Sequence, residues 1–205
     1  MAASSDIAFT TTVKTIQERR GPRAPYVRIE ADGGWETQVT AELAAFLAEQ
    51  ESVILATANA AGHPYAQHRG GPKGFIQVLD ERTLAFADYR GNREYITQGN
   101  LADNPKAFII AIDYRSRQRV KIWGRARVVD EDPALVARLL PQGYRAKAEQ
   151  AILFEVEAWC TNCPSHIPRM LPADEVAAEL AGLRQRIDAL EAENAALRSA
   201  GALIS

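Results

Sequence analysis

The stretch Gln118-Arg-Val-Lys-Ile-Trp-Gly-Arg-Ala-Arg-Val-Val129 alternates between two kinds of side chain. The apolar set is Val120, Ile122, Ala126 and Val128, and the opposite set is Arg119, Lys121, Trp123, Arg125 and Arg127. Because successive side chains of a strand point to opposite faces, this pattern predicts a long β-strand with one buried face. Gly124 lies in its middle and predicts a bulge or bend of the kind that a barrel corner needs.

Shorter strand-like runs lie on both sides of this stretch. They cover residues 53–57, 65–69, 75–79, 83–87 and 108–112 before it and residues 151–159 after it. Residues 80–82, Asp-Glu-Arg, join two of these runs with a loop of hairpin length. Many short strands at hairpin spacing favour a closed antiparallel barrel over a parallel sheet. We therefore predict a mainly β fold with peripheral helices.

Helices are predicted at the edges of the strand region. Thr40 is a suitable N-cap for a helix over 41–50, and Asp132 followed by Pro133 begins another. The other expectations concern whole ranges: disorder over 1–8, a helix over 13–20, an irregular connection over 21–38 and a loop over 160–172.

The C-terminal part of the chain follows a heptad pattern from Asp174 onward. Its a positions are Leu180, Ile187 and Asn194, and its d positions are Val176, Leu183, Leu190 and Leu197. Leucine at d and a single asparagine at a favour a parallel two-stranded coiled coil. Such a coil brings together pairs of opposite charge, namely Glu179 with Arg184, Arg186 with Glu191, and Glu193 with Arg198. The alternative is an amphipathic helix that folds back on its own barrel.

Three regions follow from these patterns: a lead-in over 1–39, a barrel domain over 40–172 and a coiled-coil helix over 173–205. A length of 205 residues suffices for one well-cored domain plus an appendage. A net charge of −2 and the lack of a reading motif argue against nucleic-acid binding. The sequence shows no signal-peptide pattern and no run of about 18 apolar residues, so we expect a cytoplasmic protein without a membrane partner.

Two clusters of residues are candidates for binding an anion. In Gln67-His-Arg-Gly-Gly-Pro-Lys73, Arg69 and Lys73 suit a phosphate, and Gly70 with its neighbour lets a flat ligand approach the backbone. The same residues equally suit a solvated turn. In Asp88-Tyr-Arg-Gly-Asn-Arg93, the asparagine is placed to cap a helix over 93–100, whose free N–H groups would favour phosphate. Many strand–helix turns share this second pattern.

A third cluster, Cys160-Thr-Asn-Cys-Pro-Ser-His166, combines thiols with an imidazole. A structural zinc site requires a fourth ligand, which the sequence does not offer. A Cys-x-x-Cys redox pair belongs at a helix N-terminus in a βαβ unit, which is not predicted here. An ordered loop with buried thiols and a loop that covers a ligand are the other interpretations. No nucleophile–base arrangement is visible.

Taken in order, these motifs resemble the pyridoxamine 5′-phosphate oxidase-like family of flavin-binding split barrels. The resemblance rests on Arg-Gly-Gly-Pro-Lys-Gly-Phe (69–75), Val-Leu-Asp-Glu-Arg-Thr-Leu-Ala-Phe (78–86), Asp-Tyr-Arg-Gly-Asn-Arg (88–93), Asn-Leu-Ala-Asp-Asn-Pro (100–105), Arg-Val-Lys-Ile-Trp-Gly-Arg-Ala (119–126) and Asn-Cys-Pro-Ser-His-Ile (162–167). It covers about residues 40–171. It implies a six-stranded antiparallel split β-barrel, a homodimer, and FMN bound at the dimer interface.

The resemblance also implies which residues contact the cofactor. Those for the flavin phosphate are Arg69, Lys73, Tyr89, Asn92 and Arg93. Gln118 or Arg119 is the polar side chain near the isoalloxazine ring. The segment that closes over the flavin, often from the other subunit, contributes Asn162, Cys163 and His166.

The chain departs from the true oxidases in its C-terminal part. It has neither their Arg-x-His-Asp-Arg-like substrate segment nor their terminal Arg-Leu-x-Pro, so we expect FMN without pyridoxamine phosphate as the substrate. The leading hypothesis is an FMN-dependent oxidoreductase acting on an unidentified small molecule. The alternatives are a non-enzymatic flavin or haem binder or sensor, and a deazaflavin-dependent reductase. Because a flavin supplies the hydride or electron chemistry, the absence of a catalytic triad is consistent with all three.

Overall fold

A computed structural model describes residues 2–162 and 164–202 of the chain. The chain divides into two units, one made of Met1–Asp113 with Gln118–Ser165 and the other of Tyr114–Arg117 with His166–Ser205. Within the described ranges, no helix combines the length and the apolar character needed to cross a membrane.

The first unit is mainly β. Its strands are β1 (Ser52–Ala58), β2 (Pro64–Gly70), β3 (Gln77–Val78), β4 (Thr83–Tyr89), β5 (Lys106–Asp113), β6 (Gln118–Val129) and β7 (Ala148–Asn162). Its helices are a 3-10 helix (Ser4–Ile7), α1 (Thr11–Arg20), α2 (Arg23–Ala31), α3 (Ala41–Ala48), α4 (Ile96–Asp103) and α5 (Pro133–Leu139). The last strand is longer than predicted, since it includes Cys160, whose Cα pairs with that of Lys121.

The strands form one antiparallel sheet in the order β2-β1-β5-β6-β7-β4-β3. The sheet has seven strands where the resemblance implied six, because the two-residue β3 forms a short hairpin with β4. An ion pair between Arg69 of β2 and Asp88 of β4 links strands that are not neighbours in the sheet order. The sheet therefore closes as a split barrel, whose two sides meet through side chains at this point.

The long strand β6 is built as its sequence predicts. Val120, Ile122 and Ala126 are buried, Val128 is partly buried, and the alternating positions are exposed or partly exposed. The pairing of β6 with β7 shifts register between Trp123 and Gly124, which confirms the predicted bulge. A Cβ at Gly124 would lie 2.0 Å from the carbonyl oxygen of Glu155, so only glycine fits where β6 approaches β7.

The barrel interior is an apolar cluster drawn from the strands and from α3. Phe75, Phe86 and Phe154 are fully buried in it. Leu43 and Leu47 bring one face of α3 onto the same cluster, and the cap predicted for this helix is present, with the Leu43 amide donating to the Thr40 hydroxyl at 3.2 Å. Each large side chain buried in this way stabilises the fold by about 1.5–3 kcal/mol.

The N-terminal segment is ordered from residue 2 onward, so the disorder expected within 1–8 and the irregular connection expected over 21–38 were wrong. Its order comes from tertiary contacts that local composition does not reveal. Trp35 stacks on Trp123 of β6 with ring centroids 4.8 Å apart, and Phe9 packs edge-to-face on Trp35 at 4.9 Å. The amide of Ser4 donates to the carbonyl of Gly33 at 2.9 Å. These contacts hold the segment against the outer face of the barrel.

The second unit consists of the turn Tyr114–Arg117, the segment from His166 and helix α6 (Ala173–Ala202). The Met170 amide donates to the Tyr114 carbonyl at 3.2 Å, and Arg115 forms an ion pair with Glu175 at 2.7 Å. The predicted C-terminal helix is confirmed.

Candidate ligand-binding site at the barrel seam

The barrel seam is the gap between residues 67–70 of β2 and residues 86–89 of β4. Arg69 donates from Nη1 to one carboxylate oxygen of Asp88, and Gln150 of β7 donates to the other at 2.7 Å. The side chains of Arg69 and Asp88 are each 13% exposed, so this charged network is largely removed from water.

One donor of this network is unmet. Within the described part of the chain, the buried Nε of Arg69 has no hydrogen-bond partner. Buried polar groups in native proteins are nearly always hydrogen-bonded. The guanidinium therefore has a donor free for an acceptor that the described chain does not supply.

The backbone is irregular beside this network. The ladder between β4 and β7 shifts register between Asp88 and Tyr89. A bulge re-aims the side chains around it and is common next to binding sites. Here it lies where the chain leaves the sheet for the loop that ends at α4.

A polar cleft adjoins the seam, and β2 supplies one of its walls. Tyr65, Gln67 and Arg69 alternate along β2 and line the cleft together, as the period-two geometry of a strand requires. The Thr97 hydroxyl donates to the Gln67 side chain at 3.0 Å and ties the start of α4 to this wall. The cleft is thus bounded by a strand on one side and by the first turn of a helix on another.

The loop into α4 differs from the prediction. Arg93 and Tyr95 have positive φ values of 63° and 53°, which no right-handed helix allows, so the helix begins at Ile96 and the predicted start at Arg93 was wrong. The Asn92 side chain accepts from the Glu94 amide at 3.4 Å, two residues on, and forms a local turn in place of a helix cap. Positive φ at non-glycine residues is costly and concentrates at functional sites.

Tyrosine side chains give the cleft hydrogen-bonding groups at neutral pH. Burial, with a smaller effect of Tyr144, raises the pKa of Tyr89, which therefore keeps its proton. The two rings pack edge-to-face at 5.3 Å. Arg93 donates from Nε to the Tyr95 hydroxyl at 2.9 Å, and this bond raises the pKa of the guanidinium, which stays charged.

Carboxylates also line the cleft, and the structure pairs two of them. Asp88 is held by Arg69 and Gln150, and Glu149 lies 3.5 Å from Arg90. Among the described residues, the lining holds two cations, Arg69 and Arg93, and three carboxylates, Asp88, Glu94 and Glu149, so the cleft as a whole has no excess of positive charge. A negatively charged ligand would be bound here by the free donor of Arg69 and not by the net charge of the cleft.

A second cavity of about 220 Å³ shares lining residues of β2 and β4, Arg69 and Asp88 among them, with the polar cleft and is also lined by Gly70, Phe75 and Phe86. A Cβ at Gly71 would lie 2.6 Å from Cβ of Phe75, and one at Gly70 would lie 2.8 Å from the His68 ring. Gly71 is therefore required by its packing against the buried Phe75, whereas at Gly70 the exposed His68 ring could move aside.

The structure brings together part of the predicted site. Arg69, Tyr89, Asn92 and Arg93 line the polar cleft, and Gly70 lines the second cavity.

The remaining predicted residues lie elsewhere. Lys73 is 59% exposed and pairs with Glu49 at 2.9 Å. Gln118 and Arg119 begin β6 and line neither cavity. The Cα of Arg119 pairs with that of Asn162 at the end of β7. His166 is exposed and belongs to the second unit. Cys163 falls outside the described residues.

Several cleft residues were missed by sequence reasoning. Gln67 and Tyr65 carried a usable signal, because they share a strand face with Arg69. Asp88 stood in a motif already singled out, but its partner Arg69 lies 19 residues away on a strand that does not pair with β4. Gln150 carried no local signal at all.

The family model for pyridoxamine 5′-phosphate oxidase matches residues 39–163. The chain therefore belongs to the pyridoxamine 5′-phosphate oxidase-like family, as the resemblance predicted. The comparison with curated proteins gives no match.

Several solved structures are similar to part of this chain. HupZ of Group A Streptococcus is 22% identical, with 60% of this chain and 92% of that chain covered and a TM-score of 0.48. A putative pyridoxamine 5′-phosphate oxidase of Lactobacillus delbrueckii is 23% identical, with 61% and 95% covered and a TM-score of 0.46. An FMN-binding protein of Syntrophomonas wolfei is 9% identical, with 71% and 97% covered and a TM-score of 0.47.

Proposed function

We propose that the protein is a flavoprotein that holds the phosphate of FMN at the barrel seam. The observation that carries the proposal is the buried Nε of Arg69, a charged donor without a partner in the described chain. It stands at the edge of a polar cleft. Membership of the family supports the same cofactor.

The residues around Arg69 fit a phosphate group. Ile96, Thr97 and Gln98 form the first turn of α4 and line the same cleft, and the free N–H groups of a helix start favour an anion. Arg93 adds a second positive charge. We assign phosphate binding to these groups and leave Lys73, which is paired with Glu49, outside the site.

The size of the cavities supports a homodimer. The polar cleft encloses about 50 Å³ and its neighbour about 220 Å³, whereas pockets that bury a ligand of this size usually measure about 300–1,000 Å³. The seam of one protomer thus offers the phosphate end of a site and less volume than such pockets usually have. We propose that a second copy completes the site. The resemblance implies that Gln118 or Arg119 lies near the ring and that the segment with Asn162, Cys163 and His166 closes over the flavin, often from the other subunit.

The proposed activity is an oxidoreductase reaction on a small molecule. The flavin, when bound, supplies the electron or hydride transfer. The chain's own residues bind and orient it, and the apolar side chains Phe75 and Phe86 beside the second cavity exclude water. No residue of the chain is assigned as a catalytic acid or base.

The test begins with an absorption spectrum of the purified protein, followed by titration with FMN, riboflavin, a deazaflavin cofactor and haem in parallel. The proposal expects FMN to bind at micromolar concentration or tighter, and riboflavin to bind at least tenfold more weakly, because riboflavin lacks the phosphate. Bound FMN is then mixed anaerobically with nicotinamide cofactors to find a reductant.

The outcomes separate the alternatives. Preference for the deazaflavin cofactor would make the protein a deazaflavin-dependent reductase. A haem absorption band that is lost in His166→Ala would make it a haem binder. FMN that binds but is reduced by no donor would favour a carrier or sensor. Failure of FMN to bind refutes the proposal.

A further inference from the structure

Helix α6 (Ala173–Ala202) presents an apolar face that the described chain leaves in solvent. The side chains of this stripe occur at every a and d position but one. Val176 is 38% exposed and Leu197 is 67% exposed. The exposed fractions of the other members lie between these two values, and these members are Leu180, Leu183, Ile187 and Leu190. Apolar side chains in a continuous stripe on a surface mark a place where another molecule binds.

The spacing of the stripe defines the shape of its partner. The apolar positions step alternately by four and three residues, which is the seven-residue repeat of a left-handed coiled coil. A partner that matches this repeat along the helix is another α-helix with the same repeat. A second copy of α6 has it by identity.

Asn194 fixes the direction of that second helix. It occupies the one a position that is polar. In a parallel pair in register, Asn194 faces Asn194 of the second copy, and the two amides can hydrogen-bond across the interface. In an antiparallel pair it would face a leucine and leave its amide unmet in an apolar interface.

The charges beside the stripe agree with the parallel direction. In a parallel pair, each g position faces the e position five residues later on the other helix. The three pairs are Glu179 with Arg184, Arg186 with Glu191, and Glu193 with Arg198, and each joins opposite charges. All these side chains are exposed in the described chain, so they are accessible to a second copy.

We propose that α6 pairs with α6 of a second copy as a parallel, in-register coiled coil. This contact is separate from the dimer proposed for the flavin site, because the family match ends at residue 163 and α6 begins at Ala173. Hydrogen exchange in α6 and titration with flavin therefore report on the two contacts separately.

The test uses the full chain and two charge-exchanged variants. One variant carries Arg186→Glu with Glu193→Arg, and the other carries Glu191→Arg with Arg198→Glu. Each keeps the net charge, because one acid and one base are exchanged. Alone, each places like charges at these e–g contacts; mixed with the other, it restores opposite charges at all of them.

The readout is amide hydrogen exchange of peptides from α6, measured by mass spectrometry in the unliganded full-length protein. We expect slow exchange in the wild type, exchange about tenfold faster in each variant alone, and slow exchange again when the two variants are co-expressed and purified as a mixed pair. Leu190→Glu should abolish the protection, and Gln185→Glu, on the opposite face of the helix, should keep it.

The alternatives predict other results. A helix that folds back on its own chain cannot be restored by mixing two variants, so protection lost in both and not regained in the mixture would overturn the proposal. An antiparallel pair does not bring Arg186 to Glu191 or Glu193 to Arg198 of the second copy, so mixing the two variants would not restore protection in that case either. Equal exchange in wild type and Leu190→Glu would show that α6 is unpaired.

Discussion

Replacing Arg69 by alanine tests the phosphate assignment most directly. The side chain is 13% exposed, donates to Asp88, and keeps a buried Nε without a partner in the described chain. A hydrogen bond between charged groups contributes about 1.5–3 kcal/mol to binding. Loss of the guanidinium should therefore raise the dissociation constant of FMN by about 10- to 150-fold.

Riboflavin is the matched ligand for this experiment, because it has the same ring and lacks the phosphate. Both affinities are measured by quenching of flavin fluorescence, in the wild type and in Arg69→Ala. The expected result is a large loss for FMN and little change for riboflavin. The FMN affinity of Arg69→Lys should lie between those of the wild type and Arg69→Ala, since lysine keeps the charge and loses the planar set of donors.

The stability of the variant must be followed in parallel, because Arg69→Ala also leaves Asp88 without its cation. We expect a loss of about 1–3 kcal/mol in the free energy of unfolding. The double variant with Asp88→Asn removes the unpaired charge, so it should recover stability and still bind FMN weakly. An equal loss for FMN and riboflavin, or no loss for FMN, would refute the phosphate assignment.

Three further predictions follow from the contacts described above. Asp88→Asn should tighten FMN binding about three- to tenfold in isothermal titration, because a carboxylate no longer competes for Arg69; weaker binding would show that Asp88 is needed to orient the guanidinium. Gly124→Ala should lower the free energy of unfolding by about 3 kcal/mol or more, since its Cβ would lie 2.0 Å from the Glu155 carbonyl oxygen. Gly182→Ala, in an open helical position, should raise the free energy of unfolding by about 0.5–1 kcal/mol. Both changes are measured by urea unfolding. Burial raises the pKa of the Cys160 thiol. The contribution of this thiol to the free energy of unfolding is therefore complete below the ordinary thiol pKa of about 8.5 and is lost as pH rises through the folded pKa. The melting temperature of the wild type should fall over that pH range more than the melting temperature of Cys160→Ser.

The parts of the fold that sequence could predict are those governed by local physics. The alternation in β6 is a property of a strand with one buried face, and it located the bulge at Gly124. Thr40 and Asp132 cap helices where predicted, because a side-chain acceptor at a helix start acts over three residues. The heptad of α6 likewise predicted the helix itself.

The parts that sequence could not predict depend on contacts between distant segments. The N-terminal segment is ordered by Trp35, whose partner Trp123 is on β6. The seam network joins Arg69 to Asp88 across strands that share no ladder, and it appears only after the sheet has closed. The positive φ values of Arg93 and Tyr95 move the start of α4 to Ile96, and neither arginine nor tyrosine favours positive φ, so the sequence did not indicate it.

The seam also determines how the barrel responds to a ligand. Strands adjacent in the sheet are joined by backbone hydrogen bonds along a ladder, whereas within the described chain β2 and β4 are joined at the seam through the Arg69–Asp88 contact. A closure made by side chains opens at lower free energy than one made by a ladder. An anion that bonds both Arg69 on β2 and the backbone that follows β4 would hold the two sides of the seam together. Its binding would therefore raise the melting temperature of the whole barrel, and the gain in the free energy of unfolding would grow with the logarithm of the anion concentration.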